Sequence, residues 1–355
     1  MTTVTTVLGP VSVTELGTTL MHEHLAVDAT AYVWDPPESW KAPLRDAPVT
    51  PHIAWMLRED PFCSVDNCLL DDVDAVVEEL GTFLADGGRT IVDPTCEGMG
   101  RRPDVLVDIS ERTGLHVVMG AGWYIGRTHN DAVRAASVQQ LTEHLLVEVT
   151  EGVDTTGVRP GILGELGISA DFTDAEERCL RAAARAQAGT GLPLMVHLPG
   201  WDRYGHRVLD TAEAEGVDPN AVILCHMNPS GGDTDYQRTL AERGTWLEFD
   251  MTGMGFYYAD QAGQSPSPDD DARAVALLVD HGHAGRVLLS HDVFVKIMWT
   301  RHGGNGFSFV QRLFLPRLQR LGVDRATAES LLTDNPREVF TAAARAVGGA
   351  VLKGE

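Results

Sequence analysis

The sequence predicts an α/β protein whose single domain is a (β/α)8 barrel, the TIM barrel fold. Eight short apolar segments alternate with eight helical segments along the 355 residues, and such runs are typical of strands buried on both faces of a parallel sheet. Polar residues that can bind metal end five of these segments, as expected at the carboxyl end of a barrel. The alternative, a doubly wound open sheet, is disfavoured because no Gly-x-Gly-x-x-Gly follows the first strand.

Each predicted strand is a short apolar run, and the helices between them begin at Ser, Thr or Asp and often end at Gly, as Thr173 and Gly189 illustrate. The predicted strands are Thr18–Leu25, Arg89–Pro94, Leu115–Trp123, Arg159–Ile168, Leu192–Leu198, Ala221–Met227, Thr245–Thr252 and Arg286–Val293. The predicted helices are Asp71–Ala85, Pro103–Thr113, Asp131–Val149, Asp174–Gly189, Arg203–Gly216, Asp233–Arg243, Asp269–His281 and Phe307–Leu321.

Two additions to the barrel are predicted. Residues 1–17, with Gly9 and Pro10 at their centre, are expected to form a short N-terminal β-hairpin. Residues 26–70 form an unusually long first β-α loop that carries Tyr32 and three tryptophans. Long connections in a compact domain are usually functional or disordered, and the aromatic content favours a packed cap or a subunit contact.

Composition and charge limit the kinds of partner that the protein is expected to bind. The formal net charge of −23 comes from 51 acidic and 28 basic residues. Such a surface repels nucleic acids and anionic membranes, so a small-molecule substrate is expected. The sequence has no span-length apolar run and no signal-peptide pattern at its start, which predicts a cytoplasmic protein. Its five scattered cysteines form no C-x-x-C, so neither a disulfide framework nor a thiolate zinc site is expected.

A metal site is predicted where the strands end. His22 and His24, at positions i and i+2 of the first strand, point to the same side. Four further candidate ligands end later strands: Glu165, His197, His226 and Asp292. A single histidine at a strand end is more often a hydrogen-bonded core residue, but six residues of these types at five strand ends favour a metal centre. Glu23 and His291 are expected to point away from it, because side chains alternate along a strand.

Four imidazoles and two carboxylates suit two divalent metal ions about 3.5–4 Å apart. This nitrogen and oxygen set favours zinc, with manganese, cobalt and iron as alternatives. We assign His22, His24 and Asp292 to one ion and His197 and His226 to the other, with Glu165 as the bridge.

Several motifs of the chain resemble the phosphotriesterase family of the amidohydrolase superfamily. They are Leu16-Gly-Thr-Thr-Leu-Met-His-Glu-His-Leu25, Gly161-Ile-Leu-Gly-Glu-Leu-Gly167, Leu289-Ser-His-Asp-Val293, Gly303-Gly-Asn-Gly-Phe307 and Asp334-Asn-Pro-Arg337. Through Gly120-Ala-Gly-Trp-Tyr124 and Ala136-Ser-Val-Gln-Gln-Leu141, the chain is most similar to the phosphotriesterase-related and phosphotriesterase homology proteins. The resemblance covers nearly the whole chain and implies a barrel, two divalent metals and hydrolase activity. Since barrels of this family commonly dimerise, it also implies a homodimer as a possible assembly.

The chain departs from phosphotriesterases and lactonases in three places. Glu165 stands where those enzymes carry a carboxylated lysine. A glutamate at this position is the pattern of the related-protein branch. Met251 stands at the position of the proton-relay histidine on strand 7. Met227 and Asn228 follow the strand-6 histidine, where lactonases carry an arginine. These differences speak against paraoxonase and quorum-lactonase activity.

Roles follow for a few side chains. Asp292 is placed to accept the proton of the attacking water and pass it to the leaving group, and Tyr124 matches a family tyrosine whose hydroxyl faces the metals. Asp93 is expected to orient a ligand imidazole or to cap the turn before Pro94, and Asp250 to contact substrate. Lys296, Arg301 and the Gly303–Gly306 stretch are expected to border the leaving group.

The predicted function is hydrolysis of a carboxylic ester, a lactone or an N-acyl amide by a metal-bridging hydroxide. The first alternative is organophosphate hydrolysis, and the second is a non-catalytic, metal-containing binding protein. A structural zinc protein is disfavoured because structural sites are usually closed and rich in cysteine.

Overall fold

Eight parallel strands form the centre of the molecule. The structure is a computed structural model that describes residues 2–351, in which each barrel strand pairs with the next one along the chain. Strands β1 to β8 are Thr18–Leu20, Gly88–Asp93, His116–Ala121, Ile162–Gly167, Leu194–His197, Val222–Leu224, Trp246–Phe249 and Val287–Leu289. With helices around this sheet, the predicted (β/α)8 barrel is confirmed, although most strands are shorter than predicted.

The barrel is nearly closed, and its last gap is bridged just beyond the ends of β1 and β8. The backbone N–H of Asp292 donates to the carbonyl of His22 at 3.1 Å, and the N–H of His24 donates to the carbonyl of Val293 at 3.2 Å. Both bonds involve residues that the sequence identifies as candidate metal ligands. The seam of the barrel therefore runs through the predicted site.

Helices surround the barrel between successive strands. Helices α1 to α11 are Val73–Ala85, Pro103–Thr113, Asp131–Ala135, Val138–Glu151, Asp174–Thr190, Gly205–Ala214, Thr234–Glu242, Pro268–Asp280, Leu315–Arg320, Arg325–Ser330 and Asp334–Val351. Six predicted helices agree with this set to within a few residues.

The prediction of one continuous helix over Asp131–Val149 is wrong. The chain breaks at Ala136, whose ψ of 145° is extended, and a new helix begins after Ser137. The Ser137 side chain accepts from the N–H of Gln140, while the Gln140 side chain accepts from the N–H of Ser137. This capping box satisfies free N–H groups of the new helix, which explains why the chain restarts there.

The C-terminal region contains more helix than predicted. The segment predicted as a helix over Phe307–Leu321 is a π-helical turn, Val310–Phe314, followed by α9. Helices α10 and α11 follow it and have no counterpart in the sequence prediction. Val339 and Phe340 of α11 pack with Val4 and Leu16 in the cluster that fills the barrel interior. They cover the amino ends of the strands, opposite the predicted site.

The N-terminal strands Thr3–Thr6 and Gly9–Ser12 pair as the expected antiparallel hairpin. The loop over residues 26–70 is packed: it contains the short strand pair Val27–Asp28 and Leu69–Leu70, several 3-10 turns and the one-turn helix Ala54–Arg58. Its Phe62 side chain is buried in the main core. The loop therefore forms part of the wall above the barrel.

Within residues 2–351, no helix combines the length and the apolar character that crossing a bilayer requires. Over the same range, the five cysteines are buried and unpaired.

Candidate metal centre

The six predicted ligands converge at the carboxyl ends of the barrel strands. His22 and His24 follow β1, Glu165 lies in β4, and His197 ends β5. His226 and Asp292 stand two and three residues beyond β6 and β8. Two groups bring their ligand atoms within 4.8 Å of one another: one is His22, His24 and Asp292, and the other is Glu165, His197 and His226. The sequence predicts the same two groups, except that it assigns Glu165 to both ions as a bridge.

Glu165 turns one carboxylate oxygen toward each group. Its Oε1 atom lies 3.4 Å from Nε2 of both His22 and His24. Its Oε2 atom lies 3.3 Å from Nδ1 of His197 and 3.6 Å from Nε2 of His226. A carboxylate in this position can bridge two cations without any added group.

A glycine allows Glu165 to reach this position. Gly164 has a φ of +128°, which side chains rarely adopt, and a Cβ there would lie 2.2 Å from the carbonyl oxygen of Met195 on β5. Any larger residue would push β4 and β5 apart. The glycine before the candidate bridge is therefore required by the barrel's packing.

Asp292 completes the first group and connects it to the open side of the site. Its Oδ1 atom lies 3.2 Å from Nε2 of His24 and 3.6 Å from Nε2 of His22. Asp292 and His226 both have left-handed backbones, with φ of +51° and +57°. Such strained conformations in non-glycine residues cluster at functional sites, where the surrounding structure holds them.

The donor set fits a pair of divalent cations. His22 Nε2 and Glu165 Oε2 are buried, and neither has a hydrogen-bond partner among the described residues. Buried polar atoms nearly always have a partner, because leaving one unsatisfied is costly. Both atoms face the other ligands, so cations bound between them would supply the missing interactions.

The pKa shifts of two ligand histidines also favour bound cations. Burial lowers the pKa of His24, but Asp292 and Glu165 outweigh it and raise the pKa to about 9. Burial likewise lowers the pKa of His226, but the Asp250 carboxylate and its neighbours raise it to about 10. The carboxylates thus attract protons to these two imidazoles, as they would attract metal cations, whereas burial and the neighbouring His226 lower the pKa of His197.

A layer of polar residues behind the ligands orients them. Asp250 is fully buried; its Oδ1 atom lies 2.9 Å from Nδ1 of His226, and its Oδ2 atom lies 3.1 Å from Nδ1 of His22. The prediction that Asp250 contacts substrate is therefore wrong, because it lies behind two imidazoles. On the other side, Nδ1 of His24 lies 2.7 Å from the hydroxyl of Thr95.

Asp93 acts on this layer through the backbone. Its carboxylate accepts from the N–H groups of Thr95 and Leu25, at 2.9 and 2.8 Å. It thereby holds the residue that contacts His24 and the residue that follows His24. Both expected roles, capping the turn and supporting an imidazole, are combined in one side chain.

Glu23 and His291 point away from the ligands, as predicted, and contact each other. Nδ1 of His291 lies 2.6 Å from Glu23 Oε1, which also accepts from the Ser290 hydroxyl at 2.9 Å. Glu23 Oε2 accepts from the N–H of Val293 at 3.0 Å. This contact was not predicted from the sequence. The feature that could have indicated it is that each of the two residues neighbours a candidate ligand, on one of the two strands that meet at the seam.

A second buried acidic group lies beneath the ligands and was not predicted. Cys225, Glu248 and Asp250 bring ligand-type atoms within 4.8 Å of His22. Burial raises the pKa of Glu248 well above its ordinary value. The sequence feature that could have indicated this group is a single glutamate in the otherwise apolar β7 strand.

Tyr124 lies beside the second ligand group, where the family resemblance put it. Its hydroxyl is 3.1 Å from Nδ1 of His197, and the two rings are 4.8 Å apart. Burial raises the pKa of this hydroxyl well above its ordinary value, so it stays protonated at neutral pH. The hydroxyl can therefore act as a hydrogen-bond donor at the site.

A cavity of about 280 Å³ opens onto the ligands. Aromatic side chains form much of its wall, including Phe62 of the 26–70 loop, which lies 5.7 Å from Tyr258 and 6.0 Å from Phe294 between ring centres. Met251 also lines it. The 26–70 loop therefore contributes to the wall of this cavity.

Residues 296–306 of the loop after β8 do not line this cavity. Lys296 pairs with Asp66 at 2.6 Å and Arg301 with Glu78 at 2.6 Å, and neither lines the cavity. The Gly303–Gly306 stretch lines a separate cavity near Arg58. The expectation that these residues border the leaving group is wrong. Lys296 anchors the loop after β8 to the 26–70 loop, and Arg301 anchors it to α1.

Curated relatives define the class of protein. The chain is 33% identical over 342 residues to the N-acetyltaurine hydrolase of Rattus norvegicus and 32% identical over 341 residues to that of Homo sapiens. Each match covers 95% of this chain and 97% of the relative. With the barrel and its ligand cluster, these matches make the protein a hydrolase, and metal dependence is consistent with its family.

Residues 2–340 match the phosphotriesterase family, and the chain belongs to that family. Among solved structures, a resiniferatoxin-binding protein from Rhodobacter sphaeroides is 52% identical with a TM-score of 0.94, covering 95% of this chain and 94% of that one. The phosphotriesterase homology protein from Escherichia coli, solved with phosphate in its active site, is 25% identical with a TM-score of 0.76, covering 92% and 99%.

Proposed function

We propose that the protein is a binuclear metal-dependent hydrolase that cleaves N-acyl amides of small amines. The observation that carries the proposal is Glu165, whose two oxygens face separate pairs of imidazole nitrogens at 3.3 to 3.6 Å. An amide is favoured over an ester or a lactone because the curated relatives are N-acetyltaurine hydrolases.

The ligand roles follow the two groups of side chains. His22, His24 and Asp292 would hold one divalent ion, His197 and His226 the other, and Glu165 both. When bound, such ions lower the pKa of a coordinated water and polarise a carbonyl oxygen. Zinc suits this donor set, and manganese, cobalt and iron remain alternatives.

Asp292 is our candidate for moving the proton. It borders both the ligand group and the cavity, and about 10% of its side chain is exposed. A carboxylate there can take a proton from the attacking water and deliver it to the amide nitrogen as the C–N bond breaks. The nitrogen must gain a proton, because an amine anion is a very poor leaving group.

Tyr124 is our candidate hydrogen-bond donor to the substrate. Its protonated hydroxyl lies at the His197 side of the cavity. A donor fixed there favours the carbonyl oxygen as it gains negative charge, because no solvent has to reorganise. The aromatic wall would bind the apolar part of the acyl group and exclude bulk water.

Binding without turnover is the second candidate function. It is favoured by the 52% identity to a protein named for binding resiniferatoxin and by the aromatic cavity. We prefer hydrolysis because all six ligand-type residues and the adjacent tyrosine are present together. Phosphotriesterase activity is not proposed, because Met251 replaces the relay histidine.

The test is a hydrolysis screen with metal-loaded protein and with chelator-treated protein as the control. We expect release of amine from N-acetyltaurine or N-acyl amino acids, with weak or no cleavage of lactones and organophosphates. Loss of activity on chelation and recovery on adding metal would support the proposal. Tight binding of these amides without turnover would instead favour the second candidate.

A further inference from the structure

Arg127 is the cavity residue that the mechanism above leaves unused. It lies in the 3-10 turn Gly126–Thr128 after β3 and lines the same cavity as Glu165 and Asp292. Among the described residues that line this cavity, it is the one arginine, and no lysine accompanies it. Its side chain is exposed, and its guanidinium carbon lies 5.0 Å from the ring centre of Tyr32.

The charge of Arg127 is not neutralised by contact. In the described part of the chain, no carboxylate lies within 4.0 Å of its guanidinium, and its side chain donates no hydrogen bond. Arg134, seven residues further on, shows the contrast: it donates to the carbonyls of His129 and Gly126. In a chain with 51 acidic and 28 basic residues, an arginine free for a ligand at this cavity is unexpected.

A short series of contacts connects Arg127 to the ligand cluster. Tyr32, on which the guanidinium rests, lies 6.0 Å from Tyr124 between ring centres. Tyr124 in turn contacts His197 through its hydroxyl at 3.1 Å. Two aromatic rings therefore separate the cation from the candidate metal ligands, and Arg127 and the ligands border the same cavity.

Much of the remaining cavity wall is apolar. Trp201 and Tyr258 pack 5.5 Å apart between ring centres, and Phe294 also lines the cavity. An apolar acyl group suits these side chains, which leaves the guanidinium of Arg127 for the polar end of the amine half. Asp260 also lines the cavity and would favour a cationic amine half instead. It lies more than 4.0 Å from Arg127, and burial raises its pKa.

We infer that Arg127 is a specificity residue that binds an anionic group, a carboxylate or a sulfonate, on the amine half of the substrate. The inference rests on the proposed amide hydrolysis. A guanidinium offers a planar pair of N–H donors that matches either anion. The substrate class would be N-acyl amino acids and N-acylated aminosulfonates.

The experiment compares three substrates of matched length: N-acetyltaurine, N-acetyl-β-alanine and the neutral N-acetylethanolamine. In the metal-loaded Arg127→Met variant, we expect KM for the two anions to rise about 10-fold with kcat less affected, and kcat/KM for the neutral amide to stay unchanged. Arg127→Lys should recover part of the loss. Added salt should raise KM for the anions in the wild type and not in Arg127→Met.

Arg203→Met is the matched control, because Arg203 also stacks on a tyrosine, Tyr236 at 5.4 Å, but lies outside the cavity. It should behave as the wild type. An equal loss on neutral and anionic amides in Arg127→Met would overturn the inference. Relative rates of the two anions in the wild type would identify the preferred anionic group.

A binding measurement separates this inference from the proposed function. Calorimetric titration of N-acetyltaurine and N-acetylethanolamine into wild type and Arg127→Met needs no turnover. If the wild type binds the anion preferentially and the variant does not, Arg127 recognises anions even if no amide is cleaved. If amides are cleaved but the anion has no advantage in binding or KM, the function stands and the role of Arg127 is wrong.

Discussion

The carboxylate of Asp250 holds the imidazole of His226: its Oδ1 atom lies 2.9 Å from Nδ1 of the ring, and both carboxylate oxygens lie 3.0 Å from the backbone nitrogen of His226. The same carboxylate lies 3.1 Å from Nδ1 of His22. One aspartate beyond β7 therefore holds His226 by hydrogen bonds and lies in ion-pair contact with His22, so it touches one histidine of each ligand group. Positioning of this kind is typical of residues behind metal ligands.

Asp250→Asn should weaken metal binding without touching the substrate. Residues that orient ligand imidazoles typically contribute 10-fold to 100-fold in metal affinity or activity, so we expect a loss of about that size. Competition with a chelator of known affinity measures it. Asp72→Asn, at the exposed N-cap of α1, is the control, since asparagine caps helices equally well. Unchanged metal affinity in Asp250→Asn would exclude the positioning role.

Asp292→Ala should lose activity more completely than it loses metal. Removal of a group that transfers the proton typically costs about 10²–10⁴-fold in rate, whereas five other candidate ligands remain to hold the ions. The measurement is kcat for amide cleavage at saturating metal, with metal content determined on the same sample. Turnover near the wild-type rate would show that another group moves the proton.

Tyr124→Phe should lower kcat about 10-fold, the value of one hydrogen bond to a developing charge, and leave the metal content unchanged. The ring remains to pack against His197 and Tyr32, so the fold should not be affected. A fall in kcat with little change in KM supports a role late in the reaction. A change in KM alone would mean that the hydroxyl only binds the ground state.

The metal-free protein should lose stability as pH rises from neutral to about 10. His24 and His226 have pKa values raised to about 9 and about 10 in the folded, metal-free chain, against about 6.5 when unfolded. The folded state therefore binds more protons in this window, and its extra stability is present below pH 6.5 and lost through pH 9 to 10.

Bound cations would replace those protons, so the stabilisation by metal should grow over the same window. The Tm is measured by calorimetry with and without chelator at pH values from 6.5 to 10. Taking the difference between the two Tm values at each pH removes the effect of the net charge, which both samples share. A difference in Tm that shrinks as pH rises would contradict the account.

The barrel was predictable because buried parallel strands and amphipathic helices leave different patterns. The ligand set was predictable because each polar residue interrupts an apolar run at its end, as Glu165 and His197 do. The break at Ser137 was missed because a capping box inside a helical pattern does not change its periodicity. Helix α11 was missed because its packing against the hairpin is a long-range contact.

The layer behind the ligands could not be predicted in the same way. Alternation along a strand indicates that Glu23 turns away from the ligands, but which residue it meets depends on how β1 and β8 come together. Similarly, Asp250 is one of several acidic residues that end strands, and its position behind His226 depends on the register of β6 and β7. Arg127 carried no sequence signal, because nothing in its local sequence shows that it lines the cavity or that no carboxylate among the described residues contacts it.

The most direct test of the account is the number of metal equivalents per chain at which amide hydrolysis reaches its maximum. The protein is stripped with chelator, titrated with zinc or manganese, and analysed by mass spectrometry for bound metal beside each rate. We expect activity to reach its plateau at two equivalents, with Glu165→Gln failing to hold the second. Full activity at one equivalent, or activity that survives complete removal of metal, would contradict the binuclear centre.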